Sequence, residues 1–176
     1  MRVPVPVEAP DAPISNPTPA VSRNKIGLLL AVLIEEGEEV QRIGEQLIAQ
    51  RKQTDVRIIY RLIELYVDHP MEFMNKSCWR QALAASTASS NKKFTREYQN
   101  VDKRLKNQLI DLMHALQKEH TFVSQVDPGS LGAIIWNNVD QMFTDFISSE
   151  GMTLNELKST INRQTSSLVN LALNLK

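Results

Sequence analysis

The sequence predicts an all-α protein, a helical bundle preceded by a proline-rich irregular arm, and three observations point to it. From Asn24 onward, apolar side chains recur at intervals of three and four, the spacing that lines one face of a helix. Nowhere does the period-two alternation of a half-buried strand appear. Glycine and proline, the usual punctuation, are nearly missing from the middle: between Gly44 and Asp127 there is no other glycine and only Pro70.

Six of the eight prolines stand in the first 19 residues. Repeated proline fixes φ, removes amide donors and biases each preceding residue to extended geometry, so residues 1–22 are expected to form an arm and residues 23–176 the helical domain. The apolar run Ile26 to Ile34 follows the prolines, has no small-residue cleavage pattern behind it and is too short to span a bilayer. A cytoplasmic location without membrane contact is the expectation.

In the first helix Ile26, Leu29, Leu30, Leu33, Gly37, Val40, Gly44 and Leu47 make the apolar row, and Glu35, Glu36, Glu38 and Glu39 are expected to turn mostly to solvent. Thr54 or Asp55 caps the next helix, where Val56, Ile59, Ile63 and Tyr66 form a row that Ile58, Leu62 and Leu65 widen. Pro70 is expected to end it and to open a short helix from Met71 to about Ser86, followed by a small-residue loop from Ala84 to Asn91. Phe94, Tyr98, Val101, Leu105, Leu109, Leu112 and Leu116 carry a long fourth helix. Asp127-Pro128, an N-cap followed by proline at the first helical position, opens a fifth, which runs toward Gly151. Thr153 and Glu156 have capping-box spacing, and Leu154, Leu157, Ile161, Gln164, Leu168, Leu171 and Leu175 alternate at three and four through the last helix. Such a seam calls for partner helices, with Gln164 fixing register.

The chain has 176 residues, 42% hydrophobic, with 20 Lys+Arg against 20 Asp+Glu. That length suits one domain with its own core, and zero net charge gives no global pull toward nucleic acid or anionic lipid. Residues 91–106 gather Lys92, Lys93, Arg96, Lys103, Arg104 and Lys106, but the interleaved Phe94 and Tyr98 share a row with Val101 and Leu105, so core rings beside a solvated cationic face are expected. His69, His114 and His120 lack metal-ligand spacing, Cys78 reads as a small apolar side chain, and no nucleophile–base set or carboxylate pair is legible. No catalysis, metal or cofactor is expected.

Three segments in this order resemble the C-terminal regulatory domain of the TetR family of bacterial transcription regulators. Ser22-Arg23-Asn24-Lys25 before Ile26-Gly27-Leu28-Leu29-Leu30 is similar to the junction leading into that family's long linking helix. Tyr66-Val67-Asp68-His69-Pro70 is similar to its mid-domain helix end. Asp127-Pro128 through Ala133-Ile134-Ile135-Trp136 to Phe143 is similar to the start of its penultimate helix. The resemblance implies a homodimer through the last two helices, for which Ile135, Val139, Phe146, Leu157, Ile161, Gln164 and Leu168 are the candidates. It also implies a pocket for a small apolar effector on the middle helices. Candidates there are Tyr60, Ile63, Phe73 and Trp79 from the first half, and Leu109, Met113, Trp136, Asn137 and Met142 from the second.

The helix-turn-helix that precedes such a domain in that family is expected to be truncated or degenerate here: Pro13 and Pro19 flank Ile14-Ser15-Asn16-Pro17-Thr18, where a continuous recognition helix is needed. Three functions accord with this reading. One is a TetR-like sensing and dimerisation module that does not itself contact DNA. The second is an intact repressor whose N-terminus is missing or frameshifted in this sequence. The third is an interaction protein that sequesters full-length relatives as heterodimers.

Overall fold

Six helices follow one another along the chain: α1 (Pro19–Ala49), α2 (Arg57–Phe73), α3 (Lys76–Thr87), α4 (Lys92–Lys118), α5 (Pro128–Ser148) and α6 (Leu154–Ala172). The computed structural model describes residues 19–88 and 91–173. Among these the backbone is helical apart from the connections and one isolated antiparallel bridge, Phe122 to Leu173. The all-α expectation is met.

Residues 1–18 of the expected arm lie outside the described residues. Its last four, Pro19 to Ser22, belong to α1, because proline at the first helical position has no amide bond to lose. The cap readings hold at two helix starts. The side chains of Asp127 and Thr153 accept from the backbone amides of Ser130 and Glu156, and Thr153 and Glu156 complete a reciprocal capping box. Asn91, expected only as the end of a loop, caps α4 through the Phe94 amide. Neither Thr54 nor Asp55 caps α2 as expected: the N-cap position is Val56, whose side chain cannot accept, and Asp55 one residue earlier accepts from the amide and guanidinium of Arg57.

Pro70 does not end α2. The helix runs through it to Phe73 and breaks at Met74–Asn75, so α3 starts at Lys76 rather than Met71 and runs past Ala84 to Thr87. The helix ends where Met74 turns extended, at φ −139° and ψ 137°, and the carbonyl of Pro70 accepts both the Met74 amide at 3.1 Å and the Trp79 indole N–H at 3.0 Å. This bond fastens α3 to the end of α2 and turns the Trp79 ring inward.

The central element is α4, which packs on α1 along one side and α5 along another, with α3 and α2 closing over it. Phe94, Leu109, Leu112, Met113 and Leu116 are buried completely along its inner faces, where they meet Ile58, Ile59, Leu62 and Ile63 of α2 and Ile135 and Ile147 of α5. Each such side chain contributes about 1.5–3 kcal/mol by leaving water. Phe94 is thus core, as its row implied.

Two glycines set how near α1 comes to α4. A Cβ on Gly37 would lie 2.5 Å from Val101 Cγ1, and one on Gly44 would run into the Gln108 amide. That amide is held in place: Gln108 accepts from the Tyr66 hydroxyl at 2.9 Å and donates to the Gln41 carbonyl at 2.8 Å, a buried link among α1, α2 and α4.

The last two helices are built differently from the expected dimer seam. Ile135, Val139, Phe146, Leu157 and Ile161 are 0–3% exposed because α5 and α6 turn them into the chain's own core. Gln164 and Leu168 are half-buried. Outward lie Ile134 and Leu171, which is 82% exposed. Leu175 is outside the described residues.

Replacing Gly37 with alanine forces α1 away from the branched Val101 side chain. The expected outcome is a loss of about 1–3 kcal/mol in urea-unfolding free energy, with helix content by circular dichroism unchanged.

Candidate functional site

The feature that departs most from ordinary core packing lies where α1, α2, α3, α4 and α5 meet. A partly open cavity of about 80 Å³ is lined by Leu33 and Glu36 of α1, Tyr66 and Pro70 of α2, and Trp79 of α3. On its other side stand Tyr98, Val101, Asp102 and Leu105 of α4 and Trp136, Val139, Asp140 and Phe143 of α5. Five aromatic rings and three carboxylates share one small space.

The rings brace one another. Tyr66 and Trp136 meet edge to face with centroids 5.3 Å apart, and so do Trp79 and Phe143 at 5.4 Å. Such pairs add about 0.5–1.5 kcal/mol beyond their burial. The Trp136 indole donates to Asp102 Oδ1 at 3.0 Å, which orients both side chains at the wall.

Glu36 is 2% exposed, contrary to the expectation that it faces solvent. It stands three residues after Leu33 and four before Val40, both buried, so helix geometry carries it into the apolar row. Its Oε1 lies 3.5 Å from His69 Nδ1, and the His69 ring stacks on half-exposed Phe73 with centroids 4.9 Å apart. Burial pushes the Glu36 carboxyl up to about 7, against the pull of His69. Burial also raises Asp102, tempered by the Trp136 indole and Lys106. Asp140, at the exposed rim, is raised by burial and by the nearby Asp102. The Tyr98 phenol, which lines the cavity with these two aspartates, is held up at about 12 by burial and by their charge. None of the described salt bridges engages Asp102 or Asp140.

No protein-family model matches the chain, and neither a curated protein nor a solved structure matches it.

Of the pocket residues expected from the sequence, Trp79 and Trp136 line the cavity. Ile63, Leu109 and Met113 are filled-in core at 0–2% exposure. Phe73 is 48% exposed on the His69 side, Tyr60 and Met142 are half-buried away from the cavity, and Asn137 is exposed and accepts from Lys106 at 3.1 Å. The sequence reading missed Glu36, Tyr66, Tyr98, Asp102, Asp140 and Phe143. A signal for three of them was present: Tyr98 with Asp102, and Asp140 with the already expected Trp136, each pair a ring and an acid four residues apart on one helix face.

The basic run on α4 forms no stacking surface. Phe94 is buried and Tyr98 faces the cavity, while Arg96 pairs with Glu97 and Arg104 with Glu38. No three of the described His, Cys, Asp and Glu side chains converge as metal ligands. Among the described residues, no helix is long and apolar enough to cross a membrane. Cys78 is half-buried and free.

Because the folded protein holds the Glu36 proton more tightly than the unfolded chain does, this contribution to stability is full below pH about 4.5 and is lost as pH rises to about 7. The window corresponds to about 3 kcal/mol. Glu36→Gln removes it. Relative to the parent, the variant is expected to gain about 2–3 kcal/mol in unfolding free energy between pH 5 and pH 8, measured by urea titration at each pH.

Proposed function

We propose that this chain is a TetR-like regulatory module that senses a small molecule and dimerises, working in transcriptional control in the cytoplasm without itself catalysing a reaction. The observation that carries the sensing reading is the cavity. Its walls come from five helices, so a molecule lodged there touches α1, the longest helix, and the α4–α5 pair at once. A ligand that favours one arrangement of these helices shifts the population toward it, which is the physical content of a sensor.

Two further features support the regulatory reading. The helix order and the Asp127-Pro128 cap accord with the resemblance drawn from the sequence, although the mid-domain helix ends at Phe73 and not at Pro70. The α4 surface offers paired arginines and a buried Phe94 rather than a stacking platform, which favours a module that does not contact DNA through these helices.

A dimer has to use the outer faces of α5 and α6, because their inner residues already serve the monomer core. Leu168 and Leu171 lie on such a face of α6, with Gln164 one turn earlier, and Ile134 lies on the outside of α5. Light scattering at micromolar concentration is expected to give twice the 19.9 kDa chain mass. Leu171→Glu, a change at an exposed position, is expected to return the chain mass with the melting temperature little altered. A monomeric parent overturns the dimer.

Sensing is tested by screening small molecules for quenching of tryptophan emission, since Trp79 and Trp136 both border the cavity. A binder is expected to lose its signal in Trp136→Phe while the fold persists. If every binder acts equally on parent and variant, the cavity is not the sensing site.

A further inference from the structure

This inference rests on reading the cavity as an effector site, and concerns which chemistry it accepts. An apolar effector is a poor fit to the walls. Three carboxylates line a space of about 80 Å³, whereas pockets for drug-sized ligands measure roughly 300–1,000 Å³. The occupant must therefore be compact. A neutral apolar group would displace water from Glu36 and Asp102 and return no hydrogen bond or charge. An anion would meet like charge from three helices.

The cavity holds a buried carboxylate with one polar partner, a histidine. Glu36 is 2% exposed and lines the space, His69 approaches its Oε1 at 3.5 Å, and no hydrogen bond reaches Oε2 among the described residues. Asp102 uses Oδ1 for the Trp136 indole. Asp140 stands at the rim near enough to raise Tyr98 and to feel Asp102. The charged groups facing this cluster from the packed elements are His69 of α2 and Lys106 of α4, and the Lys106 ammonium donates to Asn137 at 3.1 Å. The three carboxylates do not converge on a point as metal ligands do; they are spread over walls whose remaining surface is largely aromatic. Ring faces are negative and attract cations most strongly when water is excluded.

We propose that the cavity binds a compact alkylammonium group, quaternary or a protonated amine, with Glu36, Asp102 and Asp140 supplying the counter-charge and Tyr98, Trp79 and Trp136 the aromatic wall. The rings take the alkyl shell and the carboxylates the diffuse charge, a division that suits an ion too bulky and too weakly hydrated for a metal site. Binding also relieves the mutual repulsion of Asp102 and Asp140 and the burial cost of ionised Glu36.

The test uses two molecules of nearly one shape and different charge. The full chain is titrated with tetramethylammonium chloride and, separately, with neopentyl alcohol, at constant chloride and ionic strength, with tryptophan emission and calorimetry as readouts. The cation is expected to bind at least tenfold more tightly than the alcohol. Asp140→Asn, at the exposed rim, is expected to weaken the cation at least tenfold and leave the alcohol unchanged. Asp145→Asn, the same loss of charge on α5 outside the cavity, is expected to change neither. If the alcohol binds as well as the cation, the charge preference is overturned while the effector-site reading stands. If the two aspartate variants weaken the cation equally, the attraction is to the protein's field at large and the cavity site is overturned. If neither molecule binds, this inference fails, and the wider fluorescence screen decides the effector reading separately.

Discussion

The close approach of α1 to α4 is the constraint on which the rest of the structure depends. Two side chains on α4, Val101 and Gln108, sit where a Cβ on Gly37 or Gly44 would otherwise be. The two glycines lie seven residues apart, two turns of helix, and so do Val101 and Gln108. The helices therefore meet in one register only. That register brings Glu36, beside Gly37, level with Asp102, beside Val101. The buried acid in α1 and the acid in α4 share a cavity because the neighbours of each interlock.

The polar groups inside the bundle reinforce this register rather than weaken it. Gln108 spans from Tyr66 to the α1 backbone, and the Trp79 indole is tied to the Pro70 carbonyl. Each bond satisfies a donor or acceptor that would be costly to bury alone. The ion pair of Arg51 with Glu119, 2.7 Å apart, joins the far ends of α1 and α4, and Glu119 also accepts the Thr54 amide at the turn into α2. The Arg51 and Glu119 side chains are both largely sheltered, so this pair is screened less than the helix-surface pairs such as Arg42 with Glu39.

Much of the fold was legible because helix periodicity and caps are local signals. Phe94 through Leu116 drew α4 to within two residues at each end, and Asp127 and Thr153 cap where short polar side chains before an apolar run should. Pro70 misled because a single proline near a helix end costs one bond to the carbonyl four residues back without stopping the helix, and its own carbonyl still accepts the Met74 amide. The site was harder to read. Glu36 looks like one of four glutamates on a wet face, and only the positions of Leu33 and Val40 show that its face is the dry one. Ile63, Leu109 and Met113 have the size and apolarity expected of pocket residues, yet those same properties fill a core. Large apolar side chains mark an interior without telling a filled one from a hollow one; the aspartates four residues beyond Tyr98 and Trp136 carried that distinction.

The bridge between Phe122 and Leu173, with the Val123 amide donating to the Ala172 carbonyl at 2.9 Å, joins the segment before α5 to the end of α6. At the other end the short turn through Gly151 and the Thr153 cap connect the same two helices. Helices α5 and α6 thus form a loop of chain closed at both ends, once covalently and once by backbone hydrogen bonding. A segment closed in this way frays less readily from its terminus, and its amides should exchange as one cooperative unit instead of in sequence from the C-terminal side.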